Sequence, residues 1–409
     1  MHVAIVGINY APDPSGIPVY TTGLAEYLAG QGHTVSVYTG FPYYPRWTKA
    51  PEDQGRLFRR EVRRGVTVRR HYLYVPARPS ALKRMLHELS IVCYVTLGYL
   101  LGPRAELTVI VSPPLFIGIP VALIARLKRS RTIFHVQDLQ PDAAVDLGML
   151  KPGPLTKFFF FVEKVTYRLV DHVSTISYGM MEKIASKGVP RQKLALFRNW
   201  AHDDLVKPME SNTWYRQEWN LGTKFVVLYS GNMGVKQGLD SLIDAAAELR
   251  GNRDIVFVVV GDGGEKSLLM QRTREMGLDN IQFHSLQPME RLSELLATAD
   301  VAVVPQKRGV KDIVLPSKLG NLLASGRPVI AGADADTEFG RIVAESGCGI
   351  LVEPGNAGQI AAAIADLSVE RNECLRMGKE GRRYMESNFG SRSILDGFAR
   401  WTSSLAIRS

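Results

Sequence analysis

The chain has 409 residues, 45% of them hydrophobic and 22% charged, which is enough to bury two cores of ordinary domain size. The first residues, MHVAIVGINY, lack the cationic segment and cleavage site of a secretory signal. Three scattered cysteines without metal-ligand spacing suit a reducing cytoplasm. Composition therefore argues against a secreted disulfide scaffold.

The net charge of +10 is concentrated in the first half of the chain. Residues 1–200 contain 26 Lys and Arg against 13 Asp and Glu, whereas the remainder contains 24 against 27. Such a basic half indicates an anionic partner. No helix-turn-helix, zinc-finger or aromatic RNA-binding pattern accompanies it, so we expect no nucleic acid and favour a membrane surface or phosphorylated acceptor.

Short β-rich runs alternate with helical patterns along the chain, which is typical of parallel α/β sheets. A first series of predicted elements comprises strands 3–8, 34–39, 107–112, 132–138 and 172–177 and a helix at 18–32. A second series comprises strands 225–230, 255–261, 281–285, 301–305, 328–332 and 348–353. The polar segment 201–221 is the predicted linker. The pattern predicts two facing, doubly wound α/β domains with ligands at the carboxyl ends of their strands.

Two hydrophobic, basic segments of the first half have more than one interpretation. Residues 83–102 become apolar from Ile91 onwards, over about half of the roughly 20 residues that a membrane span needs. Residues 157–170, KFFFFVEKVTYRLV, form a second aromatic and basic helix. Both are either core-packing helices or helices that rest in a membrane interface, and a transmembrane span is the least favoured interpretation.

The loop NYAPDPSGIPVY, residues 9–20, joins the first predicted strand to the first helix. Gly16 lets a backbone approach a ligand closely, and the following helix N-terminus offers N–H groups to an anion or a sugar oxygen. Ser15, Gly16 and Tyr20 are therefore candidate ligand-binding residues. An ordinary βα turn is the alternative.

The segment FHVQDLQPDAAVDLG, residues 134–148, ends a predicted strand in Asp138, where α/β proteins form their sites. His135 and Gln137 are two residues apart and share one face of that strand. Asp138 and His135 are candidate site residues, although a lone histidine is more often a core residue.

A Gly-rich turn, YSGNMGVKQGLD at residues 229–240, follows the first strand of the second series. Its glycines permit tight turning, so the N–H groups of residues 231–234 can form an anion nest, and Lys236 can supply a counter-charge. The spacing is not that of a Walker motif, which argues against a P-loop NTPase. A plain turn is the alternative.

The stretch PSKLGNLLASGRP, residues 316–328, predicts a short helix that Pro and Ser open and Gly and Pro close. Lys318 lies in its first turn, where the helix macrodipole disfavours a cation. A phosphate at the same N-terminus would explain the charge, whereas a solvent-exposed lysine is the alternative. Asn321 and Ser325 lie on the same predicted polar face, opposite a buried face of leucines.

The order of these motifs resembles that of the family-4 retaining glycosyltransferases, which have the GT-B fold. The resemblance covers nearly the whole chain, and the ordered set is specific although few single motifs are. The matching segments are SGIPVY…LAEYLAGQGHTVSVYT, VSTISYGMMEKI, Asn199-Trp200, GNMGVKQGLD, VVVGDGGE, ADVAVVP, LASGRPVIA and ESGCGILVEPG. FPYYPRW at residues 41–47 and the PSK helix are most similar to enzymes of colanic-acid and O-antigen assembly, including fucosyl- and fucosaminyl-type transferases.

The resemblance implies a Rossmann-like acceptor-binding domain at 1–205, a donor-binding domain at 206–388, and a C-terminal helix at 389–409 that packs back toward the first domain. It implies metal-independent, retaining transfer of a hexosyl or deoxyhexosyl group from a nucleoside-diphosphate sugar to a lipid-diphosphate-linked or glycan acceptor. The donor is a substrate, and no cofactor or metal is expected. Exopolysaccharide or O-antigen assembly implies a location at the inner face of the cytoplasmic membrane, with its anionic surface as a partner.

The resemblance also implies roles for individual residues. Fixed groups stabilise the leaving diphosphate, which itself helps to deprotonate the acceptor hydroxyl. The implied catalytic residues are Asp138, His135 and Lys318. The implied donor-binding residues are Gly231, Asn232, Gly234, Lys236, Gln237, Gly261, Lys318 and Asn321, and the implied acceptor-binding residues are Ser15, Gly16 and Tyr20.

Three features depart from the family pattern. Asn232 and Gln237 stand where most relatives carry Arg and Lys, and Ile313 and Asn321 stand where most carry two glutamates. Gln137 occupies the position that is often His before the aspartate. Asn321 can still hydrogen-bond a ribose hydroxyl, but as a neutral group.

Two other functions stay open at this point. The missing glutamates suggest a non-catalytic, membrane-associated scaffold, and the two-domain pattern also suits a sugar-nucleotide epimerase of GT-B shape. The hydrophobic segment 83–102 argues against the epimerase, because a soluble epimerase needs no membrane contact.

Overall fold

The structure is a computed structural model, which describes residues 1–13, 16–43, 47–76, 81–146, 150–151, 153–201, 203, 205–309 and 318–406. Within these residues the chain forms two compact units, one of Met1–Asn199 with Leu395–Ser409 and one of Trp200–Ile394. Single-turn 3₁₀ helices occur at Pro51–Asp53, Leu115–Ile117, Arg191–Lys193, Val235–Gln237 and Met289–Arg291.

The described part of the first unit contains an eight-stranded sheet with helices between its strands. Its strands are β1 His2–Val6, β2 Thr34–Gly40, β3 Phe58–Arg63, β4 Val66–His71, β5 Leu107–Ser112, β6 Arg131–Val136, β7 His172–Thr175 and β8 Leu194–Leu196. Its helices are α1 Ile17–Gly30, α2 Ala81–Leu101, α3 Gly118–Leu127, α4 Gln140–Asp146, α5 Pro154–Leu169 and α6 Tyr178–Ser186. The strand order is β3-β4-β2-β1-β5-β6-β7-β8, and β3 is antiparallel to β4 while the other pairs are parallel.

The described part of the second unit contains a six-stranded sheet. Its strands are β9 Phe225–Ser230, β10 Ile255–Val260, β11 Ile281–His284, β12 Val301–Val304, β13 Val329–Gly332 and β14 Gly349–Val352. The helices from here on are α7 Trp214–Glu218, α8 Asp240–Glu248, α9 Lys266–Glu275, α10 Leu292–Ala297, α11 Lys318–Ala324, α12 Glu338–Ser346, α13 Ala357–Val369, α14 Arg371–Asn388 and α15 Ser391–Ala406. The strand order is β11-β10-β9-β12-β13-β14, and each neighbouring pair is parallel.

The central strands are apolar along their whole length because both faces of each sheet are covered. Every residue of β5, LTVIVS, and of β10, IVFVVV, is buried. Sheets with helices on both faces require such continuous apolar runs rather than an alternation of polar and apolar residues. Side-chain caps fix some of the flanking helices: the Thr337 hydroxyl accepts a hydrogen bond from the Gly340 N–H at 3.0 Å at the start of α12.

The predicted strands are present with ends shifted by at most two residues, and three further strands were not predicted. The pair β3 and β4, FRREVR and VTVRRH, is rich in arginine. The strand β3 lies at the sheet edge with mostly exposed side chains, whereas Arg70 of β4 is buried and paired with Glu61 of β3. The strand β8 has only three residues, all half-buried. Edge position and shortness remove the apolar run on which the prediction depends.

The predicted linker lies in the second unit. Val206, Tyr215 and Leu221 of segment 201–221 are buried in its core. The chain passes between the units after Asn199 and again after Ile394, rather than at residues 205 and 388. A short helix, α7, and aromatic packing replace the linker that the polar composition of this segment suggested.

The last part of α15 belongs to the first unit. Phe398 packs on Phe197 with ring centroids 4.3 Å apart, and Trp401 meets the His172 ring edge-on at 5.7 Å. The Tyr27 hydroxyl of α1 donates a hydrogen bond to the Asp396 carboxylate.

Candidate functional site

The second sheet reverses its strand order between β9 and β12, and this switch point brings the predicted donor-binding segments together. Gly231 directly follows β9, Gly261 directly follows β10, and Lys318 begins α11 on the chain path from β12 to β13. All three therefore lie at the carboxyl edge of the sheet, where doubly wound sheets open a crevice for ligands.

The loops after β9 and β10 approach each other so closely that only glycine fits. The Gly231 N–H donates to the Val260 carbonyl at 2.9 Å, and a Cβ on Gly261 would lie 1.9 Å from the Gly231 carbonyl oxygen. Both glycines also have a positive φ, 143° and 147°. The backbone of the loop after β10 therefore packs directly on the backbone of the loop after β9.

This pairing limits the predicted anion nest at residues 231–234. The Gly231 N–H is already donated to Val260, and the Met233 N–H donates to the Asp262 carbonyl at 2.8 Å. Within this turn, a nest can therefore use only the N–H groups of Asn232 and Gly234. The backbone of this turn therefore offers an anion two N–H donors, rather than the four of residues 231–234.

Lys318 supplies a cation to the same turn from α11. Its Nζ donates to the Tyr229 hydroxyl at 2.7 Å and lies 3.9 Å from the centre of that ring. A Cβ on Gly231 would lie 2.4 Å from the Lys318 Cε, so glycine at this position also makes room for the lysine. Burial lowers the pKa of Lys318 to about 7. Among the described residues no carboxylate pairs with this half-buried lysine, so it is divided between its neutral and protonated forms near pH 7.

Tyr229 is the functional candidate that the sequence analysis missed. It is almost fully buried near the end of β9, accepts from Lys318, and donates to the Asn232 carbonyl at 2.5 Å. Burial raises the pKa of its phenol, which keeps it neutral and able to donate. An aromatic residue at the carboxyl end of a strand, directly before a Gly-rich turn, was the available signal.

The remaining donor-binding candidates surround this centre at the same edge. Lys236 and Asn232 are exposed, Gln237 and Asn321 are half-buried, and the Lys236 carbonyl accepts from the Lys307 N–H at 3.1 Å. The predicted buried face of α11 is confirmed by Leu319, Leu322 and Leu323. Ser325 is an exception on the polar face, because it is buried and its hydroxyl donates to the Leu322 carbonyl at 2.7 Å.

In the first unit, the acceptor-binding candidates lie in the loop after β1 and at the start of α1. Ser15 lies outside the described residues. Gly16 has a φ of 78°, and a Cβ there would meet nothing within 4 Å, so its backbone angle rather than close packing favours glycine. Tyr20 is half-buried, and desolvation raises its pKa to about 12. The buried guanidinium of Arg70 anchors this loop by donating to the Ala11 carbonyl at 2.6 Å.

His135 is enclosed within the first unit rather than presented to a ligand. Its Nδ1 lies 3.0 Å from the Ser174 hydroxyl and its Nε2 lies 3.0 Å from the Gln137 amide nitrogen, and Asn199 donates to the Gln137 carbonyl oxygen at 2.9 Å. Burial lowers the pKa of His135 to about 3, so the ring is neutral. These contacts give His135 a structural role, and a direct catalytic role stays a prediction that its surroundings do not support.

Asp138, the other catalytic candidate of the first unit, is better placed. It is half-buried in the connection between β6 and α4, two residues after the end of β6 rather than at the predicted strand end. It therefore lies at the carboxyl edge of the first sheet. Its neighbour Asp142 is buried and ion-paired with Lys183 and Lys187, which makes that second carboxylate a structural group.

The described residues contain no cluster of three or more His, Cys, Asp or Glu side chains that could hold a metal ion. The groups that face the crevice of the second unit are instead a lysine, a phenol and backbone amides. The lysine and the backbone N–H groups can donate to phosphate oxygens, whereas the Tyr229 O–H is already donated to the Asn232 carbonyl.

Two α/β units, each built on a largely parallel sheet, are the architecture of the GT-B fold of glycosyltransferases. Sucrose-phosphate synthase from Thermosynechococcus elongatus has this fold, with a TM-score of 0.76 at 18% identity over 100% of both chains. So does HepE of Anabaena, solved in complex with UDP, with a TM-score of 0.71 at 16% identity over 99% of this chain and 100% of that one.

The chain belongs to the group 1 glycosyltransferase family. The family Glycosyl transferases group 1 matches residues 212–384, and the Glycosyl transferase 4-like domain matches residues 15–200. A relative from Escherichia coli K12, described as the colanic acid biosynthesis glycosyl transferase WcaI, is 36% identical over 410 residues, which cover 97% of this chain and 98% of the relative. The resemblance inferred from the motifs and the predicted GT-B fold are thus confirmed.

Proposed function

We propose that this glycosyltransferase moves a hexosyl or deoxyhexosyl group, with retention of anomeric configuration, from a nucleoside-diphosphate sugar to a lipid-diphosphate-linked or glycan acceptor. The acceptor belongs to exopolysaccharide or O-antigen assembly. Similarity to WcaI over nearly the whole chain supports the pathway class. The motifs shared with retaining family-4 enzymes support the stereochemical course.

The observation that carries the proposal is Lys318, a half-buried lysine that pairs with no described carboxylate and lies at the switch point of the donor unit. When the glycosidic bond breaks, negative charge develops on the leaving diphosphate, and a fixed cation that needs no reorganisation stabilises it. The Gly-rich turn carries Asn232 and Gln237 where most relatives have cations. Because the Lys318 Nζ reaches the same turn beside Gly231, α11 supplies the positive charge that the turn lacks.

The other residues have supporting roles in this proposal. The N–H groups of Asn232 and Gly234 donate to phosphate oxygens, and Tyr229 holds the Lys318 ammonium in place. Asn321, one turn further along α11, contacts a ribose hydroxyl. In the first unit, Asp138 and the loop around Gly16 contact the acceptor.

The reaction needs neither a metal ion nor a cofactor in this proposal, because Lys318 provides the charge that a bound cation otherwise supplies. Turnover in the presence of EDTA measures this directly. We expect the rate to be unchanged after chelation and after readdition of Mg²⁺ or Mn²⁺. A rate that falls with EDTA and returns with one of these ions would refute metal independence.

Calorimetric titration of the full chain with UDP and with GDP tests donor binding, and UDP is the first choice because HepE binds it. We expect one of the two to bind, and the corresponding nucleotide sugar to yield a product whose anomeric configuration, measured by NMR, equals that of the donor. Binding of neither nucleotide would favour the scaffold. Interconversion of two sugar nucleotides without any acceptor would favour the epimerase.

A lipid-linked acceptor places the enzyme at a membrane, and we propose peripheral association with the inner face of the cytoplasmic membrane. The described residues contain no helix long and apolar enough to cross a bilayer. The basic first half of the chain supports attraction to an anionic surface.

A further inference from the structure

Helix α2 has an apolar face that no other element of the described chain covers. Leu86, Leu89, Leu97 and Leu100 are 48%, 41%, 51% and 46% exposed. At 100° per residue these positions fall within one narrow sector, about half a turn away from the buried residues of the same helix. The helix is therefore apolar on both faces, and only its inner face packs against the sheet.

The neighbouring helices extend this face. Helix α3 packs against both α2 and α5, and all three lie between successive strands of the first sheet. Leu123 and Leu127 of α3 are exposed, as are Leu155, Phe158 and Phe161 of α5, the last by 62%. We call the exposed apolar side chains of α2, α3 and α5 the outer face. An exposed apolar surface that spans three helices is unusual for a protein that meets only water.

The exposed charges around the outer face are of one sign. Lys83 and Arg84 stand at the start of α2, Arg126 on α3, and Lys157, Lys164 and Arg168 on α5, and all are exposed. The carboxylates of these helices point away from water: Glu163 is buried and paired with Lys187, and Glu88 is half-buried. Every exposed charged side chain described on the three helices is therefore cationic.

We propose that the outer face is the membrane-binding surface of this protein and that it lies in the interface of a bilayer containing anionic phospholipids. Leu and Phe side chains enter the acyl boundary while Lys and Arg contact the headgroups, with about 1 kcal/mol for each basic residue near an anionic surface. A second copy of this chain fits worse, because the exposed charges of both faces would be cationic and would repel each other. The inference extends the proposed function, in which the acceptor is lipid-linked.

Vesicle sedimentation of the full-length protein tests the surface without any sugar transfer. The probes are vesicles of phosphatidylcholine alone and vesicles of phosphatidylcholine with phosphatidylglycerol. We expect binding to the mixed vesicles, weakened by salt, and little binding to the neutral ones. Absence of binding to the mixed vesicles, or equal binding to both, would overturn the proposal.

Two sets of variants then assign the surface, each with a matched control in the second unit. Leu89→Gln with Leu97→Gln removes apolar contacts, and Leu268→Gln with Leu375→Gln is the control, since both control leucines are 60% exposed. We expect the outer-face pair to lower partitioning about fivefold or more and the control pair to leave it unchanged. Equal effects of the two pairs would contradict the assignment.

The charge variant is Lys157→Gln, Lys164→Gln and Arg168→Gln, and its control is Lys224→Gln, Arg253→Gln and Lys379→Gln, all at exposed positions. Because both triple variants remove the same net charge, only a local role of α5 predicts a larger loss for the first. We expect at least a tenfold larger loss of binding to mixed vesicles, consistent with about 1 kcal/mol for each cation. No difference between the triples would refute the headgroup contact.

Two further measurements separate the alternatives. Size-exclusion chromatography of the Leu89→Gln, Leu97→Gln variant shows whether the outer face joins two copies, and loss of a dimer without loss of vesicle binding would refute the lipid surface. Calorimetry with UDP or GDP on the same variant shows whether the donor unit is intact. Normal nucleotide binding with no vesicle binding by the wild type would refute the surface and leave the proposed sugar transfer standing.

Discussion

His135 and Lys318 are both basic side chains near the carboxyl edge of a parallel sheet, His135 buried and Lys318 half-buried, and desolvation lowers the pKa of each. Their partners differ. His135 has a neutral hydrogen-bond partner for each ring nitrogen, whereas Lys318 has one phenol and, among the described residues, no carboxylate. A buried polar group whose hydrogen bonds are all satisfied stabilises the fold. A desolvated basic group without a carboxylate partner is instead a candidate for ligand binding.

The largest expected effect concerns Lys318→Met, which keeps the length of the side chain and removes its charge. We expect turnover to fall by about 100-fold or more, because the leaving diphosphate loses its fixed cation. The thermal midpoint should not fall, since a desolvated charge is removed. Steady-state kinetics and a thermal melt measure both quantities, with exposed Lys224→Met as the matched control. Unchanged turnover in Lys318→Met would show that Lys318, like His135, has only a structural role.

The reverse result is expected for His135→Ala. Loss of the ring leaves a cavity and removes the partner of Ser174 and of Gln137, at a cost of about 2–3 kcal/mol in the free energy of unfolding. Nucleotide affinity should stay the same, because the donor site lies in the other unit. Urea denaturation and calorimetry test the two statements, and His33→Ala at a half-exposed position is the control. A variant that loses turnover while keeping its stability would restore the predicted catalytic role of His135.

The pH dependence of donor binding is a further test of the role of Lys318. Lys318 has a pKa of about 7 in the free protein, so binding above this pH requires the uptake of a proton. We expect affinity for the nucleotide sugar to be constant below pH 7 and to fall by up to about tenfold per pH unit above it. Calorimetry in buffers of different ionisation enthalpy measures the proton uptake. The Lys318→Met variant should show neither effect, and an equal slope in that variant would assign the titration to another group.

The smallest effect is expected for Tyr229→Phe. The ring stays beneath the ammonium, but the hydrogen bonds with Lys318 and with the Asn232 carbonyl are lost. We expect nucleotide affinity to fall by a factor of about 3–10, corresponding to about 1 kcal/mol. Tyr215→Phe is the control, because its hydroxyl contacts Gln287, away from the turn. A loss as large as that of Lys318→Met would show that the phenol itself binds the ligand.

Much of this architecture follows from local patterns. Continuous apolar runs such as 225–230 and 255–260 identified the buried parallel strands, because a strand covered on both faces can carry few polar residues. The same rule missed β3, whose arginines are largely exposed at an edge, and β4, whose buried Arg70 pairs with Glu61. The Gly-rich turn was recognisable as a ligand-binding feature, but not the internal use of its Gly231 and Met233 N–H groups. That use depends on the neighbouring strand.

Local patterns in the chain were enough to identify the α/β class, the Gly-rich turn at residues 229–240 and the unusual lysine in the first turn of the PSK helix. The three-dimensional fold was needed to see that Lys318 contacts Tyr229, 89 residues away, that His135 is enclosed, and that α2 leaves a row of leucines exposed. Periodicity and turn chemistry are local properties of the chain. The order in which parallel strands pair decides which loop ends meet and which faces stay open, and no single segment encodes that order.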